Sequence, residues 1–434
     1  MKNKGINIFV IIAFVALLYP MMVGLTKKDN KPNLSGLVIS EDKPKFTMES
    51  WLTREYQDLK EDYNNDHWAF KELFVRLNNQ VYYTAFNKIR VNGFVAGKDN
   101  YLYSEDYIFS AYGDDYVGEE KIKTKLQKAK IVQDSLKKKG IDLLLVFAPG
   151  KGEYCIEQIE DKYKHPITKT NFQDYINFSK QFGLNVLDLK SYFQKLKPTT
   201  PYPLFPKFAH HWSYYAECLA IDTIIGHIEK LHHCDLPDIV WNKIDVVDTA
   251  RSRDADILLK MNLYKNPSQI MKLAYPEVMW ENDSLKNTTR VLSIGDSYWY
   301  GPVYLGITQK SFGNAQFWYY YNKIVPRPTD ENTEVWQLDL KKNLESNQVI
   351  MLLYSDGNLK EFANAFIEDA YEMYTNPKQY YARVEKEKSI KIFAKQIREK
   401  PLLLKKATAN SKDLQIPLDS AIWLDAMKLA GAKK

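Results

Sequence analysis

The chain has 434 residues, 45% hydrophobic and 26% charged, enough apolar material for a globular domain with a sizeable core. Its formal charge of +6 is uneven. Residues 376–434 hold 14 Lys/Arg against 6 Asp/Glu, so the main body lacks the basic face that nucleic-acid binding requires. The cysteines, Cys155, Cys218 and Cys234, have neither metal-ligand spacing nor the number for a disulfide framework.

The first element is the apolar run "INIFVIIAFVALLYPMMVGL", Ile6 to Leu25, about long enough to span a bilayer. Lys2 and Lys4 precede it. Met22-Val23-Gly24 is a poor cleavage site, so residues 1–28 read as an uncleaved anchor rather than a removed signal segment. Lys27, Lys28 and Lys31 blunt the charge bias that would fix its orientation. The expectation is a single-pass protein of the cell membrane with its main domain outside the cytoplasm, on the periplasmic side.

Residues 29–90 read as a linker and helical stalk. Asn30 to Phe46 is polar with Pro32 and Pro44, and Trp51 to Lys88 mixes aromatic and charged residues in a helical manner. Val95 to Asp106 reads as a β-hairpin turning at Gly97-Lys98-Asp99-Asn100. From there helices and strands alternate. Glu120–Lys139 carries an apolar stripe and stops at Gly140, and "IDLLLVFAP" follows as a strand buried on both faces. Asn171–Phe182 is a helix stopped by Gly183, and "LNVLDL" is the next strand. Ser213 caps a helix running to about Lys230. "TRVLSIGDS" is a strand that turns tightly at Gly295, and "QVIMLLYSDGN" is another strand. This alternation predicts an α/β three-layer domain with a parallel sheet over residues 91–375, followed by a basic helical extension at 376–434.

Ligands of such sheets bind beyond the carboxyl ends of the strands. Four polar clusters fall there: Pro149-Gly150-Lys151, Asp188, Gly295-Asp296-Ser297 and Ser355-Asp356-Gly357-Asn358. In "SIGDSYW" a serine after a buried strand can present its hydroxyl for attack on a carbonyl. A nucleophilic serine needs a base, and "FPKFAHHWSYYAE" sets His210 and His211 just ahead of a helix start. Each signal alone has an ordinary explanation, turn chemistry for the first and a packed histidine for the second.

Together they resemble the SGNH-hydrolase-like alginate O-acetyltransferase family of the AlgX and AlgJ type, and the related DHHW proteins. Those carry Asp-x-His-Trp well before a late Gly-Asp-Ser. The matching stretches are Ala209-His210-His211-Trp212 and Gly295-Asp296-Ser297. "VAGKDNYLY", "FAPGK" and "FWYYYNK" are similar to further segments of the family, over about Val91 to Glu361. The resemblance implies Ser297 as nucleophile and His211 as base. His210 lies one residue off the motif, and Asp296 belongs to the turn. The family's motif Asp is replaced by Ala209, which leaves three outcomes: a carboxylate from elsewhere, a Ser-His dyad helped by a backbone carbonyl, or an inactive homologue.

Gly295, Asp296 and Asn358 are expected to support the turn or an oxyanion. Trp212, Trp299, Tyr300, Trp318 and Tyr319 are candidate sugar-binding surfaces, with half of the last four in the core, and Lys151 is a candidate partner for a polymer carboxylate. The implied function is an exported, membrane-anchored O-acetyltransferase that moves acetyl groups through Ser297 onto a polysaccharide. A multispan membrane O-acyltransferase would be its acetyl donor. The alternatives are a carbohydrate esterase or deacetylase, and a catalytically weak polysaccharide-binding scaffold. No P-loop, His-Glu-x-x-His or dinucleotide fingerprint occurs, so no cofactor and no metal are expected.

Overall fold

The computed structural model describes residues 8–15, 18, 19, 23, 34–36, 42–267, 271–281, 289–313, 315–326 and 333–431. A hairpin of β1 (Phe94–Ala96) and β2 (Leu102–Ser104) precedes the strands β3 (Asp142–Ala148) and β4 (Val186–Asp188). Two antiparallel ladders follow, β5 (Asp238–Val240) with β8 (Met279–Glu281) and β6 (Ile244–Val247) with β7 (Leu273–Pro276). The last strands are β9 (Val291–Gly295), β10 (Phe317–Tyr319), β11 (Lys323–Val325) and β12 (Val349–Ser355).

The central sheet has the order β11-β10-β9-β12-β3-β4. Its neighbours run parallel except β10 and β11, which are antiparallel. The sheet expected to be parallel is so except at that edge. Only Tyr320, Tyr321 and Asn322 join β10 to β11, far too few residues for a crossover.

Every residue of β3 and β12 is buried, and their side chains divide by the period of two. Leu144, Val146, Met351 and Leu353 face one core. Leu143, Leu145, Ile350 and Leu352 face the other. Helix Tyr214–His232 covers the first core with Ala216, Ala220, Ile224 and Ile228. Helix Glu119–Lys137 covers the second with Ile122, Leu126, Val132 and Leu136. This is the three-layer arrangement expected from the alternating pattern. It sets the carboxyl ends of β3, β9 and β12 side by side.

The stretch read as one helix from Trp51 is three, Met48–Leu52, Glu55–His67 and Lys71–Phe86, broken where Arg54 and Phe70 take left-handed conformations. None of them buries a residue. At the other end, Pro377–Glu399, Pro401–Asp413 and Leu418–Leu429 pack around Ile390, Ile397, Ala407 and Ile422. Arg383 ties the first of these to the domain through Asp369 and Glu372, each at 2.7 Å. Of the run Ile6 to Leu25, residues 8–15, 18, 19 and 23 are described and helical, and the remainder lies outside the described residues. Among the described residues no helix is long and apolar enough to cross a membrane.

Candidate active site

The end of β9 is held by its neighbour. A Cβ on Gly295 would lie 2.2 Å from the carbonyl oxygen of Leu353, so this position is glycine because β12 passes too close. Asp296, fully buried, accepts from the Tyr298 N–H at 3.0 Å and so starts the turn Ser297–Trp299. Its other oxygen accepts from the Ser355 N–H at 2.8 Å, the Ser355 hydroxyl at 2.6 Å and Asn358 Nδ2 at 2.8 Å. Strand β9 therefore ends in a turn bolted to the end of β12, with Ser297 at its tip.

The histidines come from the loop before helix Tyr214–His232. Ser213 caps that helix through the Ala216 N–H at 3.1 Å and donates to Pro203 O at 2.7 Å. Below the loop lies Lys151, just past the end of β3. Its Nζ donates to the carbonyls of Pro206 at 2.6 Å, Lys207 at 2.8 Å and Ala209 at 2.6 Å. An ammonium has three donors, and all are taken. Burial pushes Lys151 down to about 7. From the other side, Phe208 O accepts the N–H groups of Ile257 and Leu258 at 3.1 and 3.3 Å.

Between these supports, His211 Nε2 lies 2.9 Å from Ser297 Oγ, and His211 Nδ1 lies 2.7 Å from Asp256 Oδ2. Asp256 opens the short helix Asp256–Lys260, and its second oxygen accepts from the His210 N–H at 3.1 Å. A carboxylate on Nδ1 fixes the proton there and leaves Nε2 to accept from the serine. Burial alone would raise the Asp256 carboxyl. The His211 hydrogen bond, the charge of His211 and the His210 N–H outweigh it and hold Asp256 below the usual carboxylate range. Two neighbours moor its segment: Arg253 grips the buried Glu217 with both terminal nitrogens, at 3.2 and 2.7 Å, and Asp254 accepts from the Tyr214 N–H at 3.2 Å.

The His210 ring is tilted against His211, with centroids 3.8 Å apart, and stacks on Tyr107 at 5.9 Å. Burial, and then the charge of His211, lower it to about 3, so it stays neutral. Ligand atoms of His210, His211 and Asp256 lie within 4.8 Å of one another, but the hydrogen bond from His211 to Asp256 occupies that space. The Tyr320 hydroxyl turns toward Ser297 and lies 3.5 Å from Asn358 Oδ1.

The alternatives left open for several residues narrow. Asn358 spends its amide donors on Asp296 and on Ser355 Oγ at 3.1 Å, so it braces the turn rather than facing an oxyanion. Lys151 is wholly buried under the histidine loop and cannot meet a polymer carboxylate. Trp212, Trp299 and Trp318 are at most 1% exposed and belong to the core, leaving Tyr300 and Tyr319 as the accessible aromatics, 5.7 Å apart edge to face. Asp256 was missed. Its only trace in the sequence is an acid at the start of the apolar stretch "DILL".

Residues 94–252 match the family described as the SGNH hydrolase-like domain of acetyltransferase AlgX. The AlgX-type stretch takes in β1 to β6 and the histidine loop, and stops short of Asp256 and Ser297. No curated protein sequence matches the chain. Among solved structures, it is similar to the O-acetyltransferase domain of Pseudomonas putida AlgJ, at 15% identity and a TM-score of 0.43, over 66% of this chain and 99% of that one. Pseudomonas aeruginosa AlgX gives 13% identity and 0.41, over 65% and 67% of the respective chains. Bacillus cereus PatB1 gives 15% and 0.38, over 60% and 95%.

Proposed function

We propose that this protein is an O-acetyltransferase that carries an acetyl group on Ser297 and delivers it to a polysaccharide hydroxyl. The observation that carries this reading is the unbroken chain Ser297 Oγ–His211–Asp256, at 2.9 and 2.7 Å. His211 Nε2 takes the serine proton as Oγ attacks the acyl carbonyl, and Asp256 stabilises the imidazolium that forms. His211 then protonates the leaving group. A sugar hydroxyl gives its proton to His211, attacks the acetyl-serine and leaves as the acetate ester, restoring Ser297. Asp256 supplies from another segment the carboxylate that the family motif carries at the position of Ala209, which supports a catalytic reading over a scaffold.

The reading includes export and a membrane anchor, supported by the apolar run Ile6 to Leu25 and by side chains of residues 8–12 that are all more than half exposed. With the site outside the cytoplasm, a multispan membrane acyltransferase would supply the acetyl group.

The test is acetyl transfer from a chromogenic acetyl ester to a soluble polysaccharide. Ser297→Ala should abolish turnover with little change in Tm. Asp256→Asn should reduce it by about 10³- to 10⁴-fold by favouring the wrong histidine tautomer. An active Ser297→Ala protein would end the proposal. Acetate release that no polysaccharide diverts into sugar ester would make the protein an esterase instead.

A further inference from the structure

The helix Lys71–Phe86 is mounted in reverse. It meets the domain with polar side chains: Arg76 Nη1 donates to Leu263 O at 3.3 Å, Asn79 Nδ2 to Met261 O at 2.8 Å and the Tyr83 hydroxyl to Asn100 Oδ1 at 3.1 Å, while Gln80 Oε1 accepts from the Lys265 N–H at 2.9 Å. Its apolar residues point elsewhere. Leu73, Phe74, Leu77 and Val81 fall at i, i+1, i+4 and i+8. At about 100° per residue they form one face, roughly a third of the way round the helix from the polar one. They are 38, 53, 40 and 54% exposed. Soluble monomers rarely leave such a face open, so it marks a surface that something covers.

Its neighbours indicate what that is. Phe70 heads the face, and the Tyr19 ring stacks on Phe70 with centroids 5.7 Å apart. Tyr19 belongs to the apolar run Ile6 to Leu25, so the face continues the surface of that run. The helix Met48–Leu52, nearer the run in sequence, exposes Met48, Trp51 and Leu52 as well. Groups suited to the boundary between acyl chains and headgroups accompany the face: Trp68 and Tyr82 are exposed, Arg90 lies 4.7 Å over the Tyr82 ring, and Lys88 follows the helix end. A second copy of the chain is a poorer fit. The helix has 16 residues, about two heptads, where a coiled-coil seam needs at least about three.

We propose that the helix Lys71–Phe86 lies on a lipid bilayer, with Phe70, Leu73, Phe74, Leu77 and Val81 immersed where headgroups meet acyl chains, as an interfacial helix lies. Its polar bonds to residues 261–265, just past the helix that carries Asp256, then fix how the site stands over the membrane. The proposal rests on the export and anchor reading for bringing a bilayer within reach, and one experiment reads the two apart. The full-length protein is placed in vesicles of phosphatidylcholine and phosphatidylglycerol, doped with a phosphatidylcholine that bears a diazirine in its acyl chain, and the photoadducts are mapped by mass spectrometry. Adducts are expected both in Ile6 to Leu25 and in Phe70 to Val81. Leu77→Glu combined with Val81→Glu should reduce those of the second segment about tenfold or more, because immersing a carboxylate costs far more than the apolar contact it replaces contributes. Adducts in the first segment, Tm and hydrolysis of a small acetyl ester should not change. Adducts confined to the first segment would overturn the proposal and leave the anchor standing, and adducts in the second segment alone would support the proposal and defeat the anchor. Wild-type labelling of the double variant would also overturn it, as would a second segment free of adducts in a dimeric protein, where another copy covers the face.

Discussion

A lysine sealed inside a protein with no carboxylate in contact needs another reason to be there. At Lys151 the reason is three carbonyls, of Pro206, Lys207 and Ala209, all within two to five residues of His211. Charge-assisted bonds of this kind are roughly twice as strong as neutral ones, and they fix the height of the loop over the serine. The folded-state pKa of about 7 lies below the unfolded value of about 10.4, so the folded protein binds this proton more weakly. The cost of burying the charge is therefore fully present below pH 7 and fades as pH rises toward 10.4. Lys151→Met should lower ester turnover tenfold or more, since unsatisfied carbonyls let the loop drift and small misplacements in a site are costly. Between pH 7 and 10 the Tm of the wild type should also rise relative to the variant. Parallel Tm curves together with unchanged turnover would deny Lys151 this positioning role.

At the scale of elements, the turn after β9 depends on two strands lying closer than a side chain permits. Gly295→Ala would drive a methyl into Leu353 O and should destabilise the fold by about 1–3 kcal/mol, read as a lowered urea midpoint with m unchanged. A midpoint equal to the wild type would show that β9 can move aside. The elements most legible in sequence were those with local signals: the unbroken apolar strand β3, and helices stopped by Gly140 and Gly183, both at positive φ. Ser297 and His211 could be picked out because each sits beside an element end with its own signature. Asp256 could not, because its place is set by backbone bonds from Ile257 and Leu258 to Phe208, a pairing no local pattern encodes. The aromatic candidates divide as expected, half of them in the core. Trp318 and Tyr319 are neighbours in a strand, so they point to opposite faces of the sheet, Trp318 fully buried in one core and Tyr319 only partly buried against the other.

At the scale of the whole molecule, a site built on the sheet is flanked by two helical ends of different character. The N-terminal helices between Met48 and Phe86 bury nothing, while the C-terminal three share a small core of their own and are tied to the domain. If residues 1–28 anchor the chain, the full-length protein should remain with membranes through a carbonate wash, and removal of those residues should release it. A full-length protein recovered in the soluble fraction would count against the anchor. The three residues of the proposed relay come from positions 211, 256 and 297, and only the first lies within the AlgX-type stretch. Read along the chain, Ala209 looks like a deletion. Counted around the imidazole, nothing is missing. The acid is thus addressed by its coordinates rather than by its place in a motif, and it is free to migrate along the polypeptide during evolution as long as some backbone returns it to the same spot. Relatives sorted into living and dead enzymes by the letter two residues before the histidine would be sorted by the wrong variable.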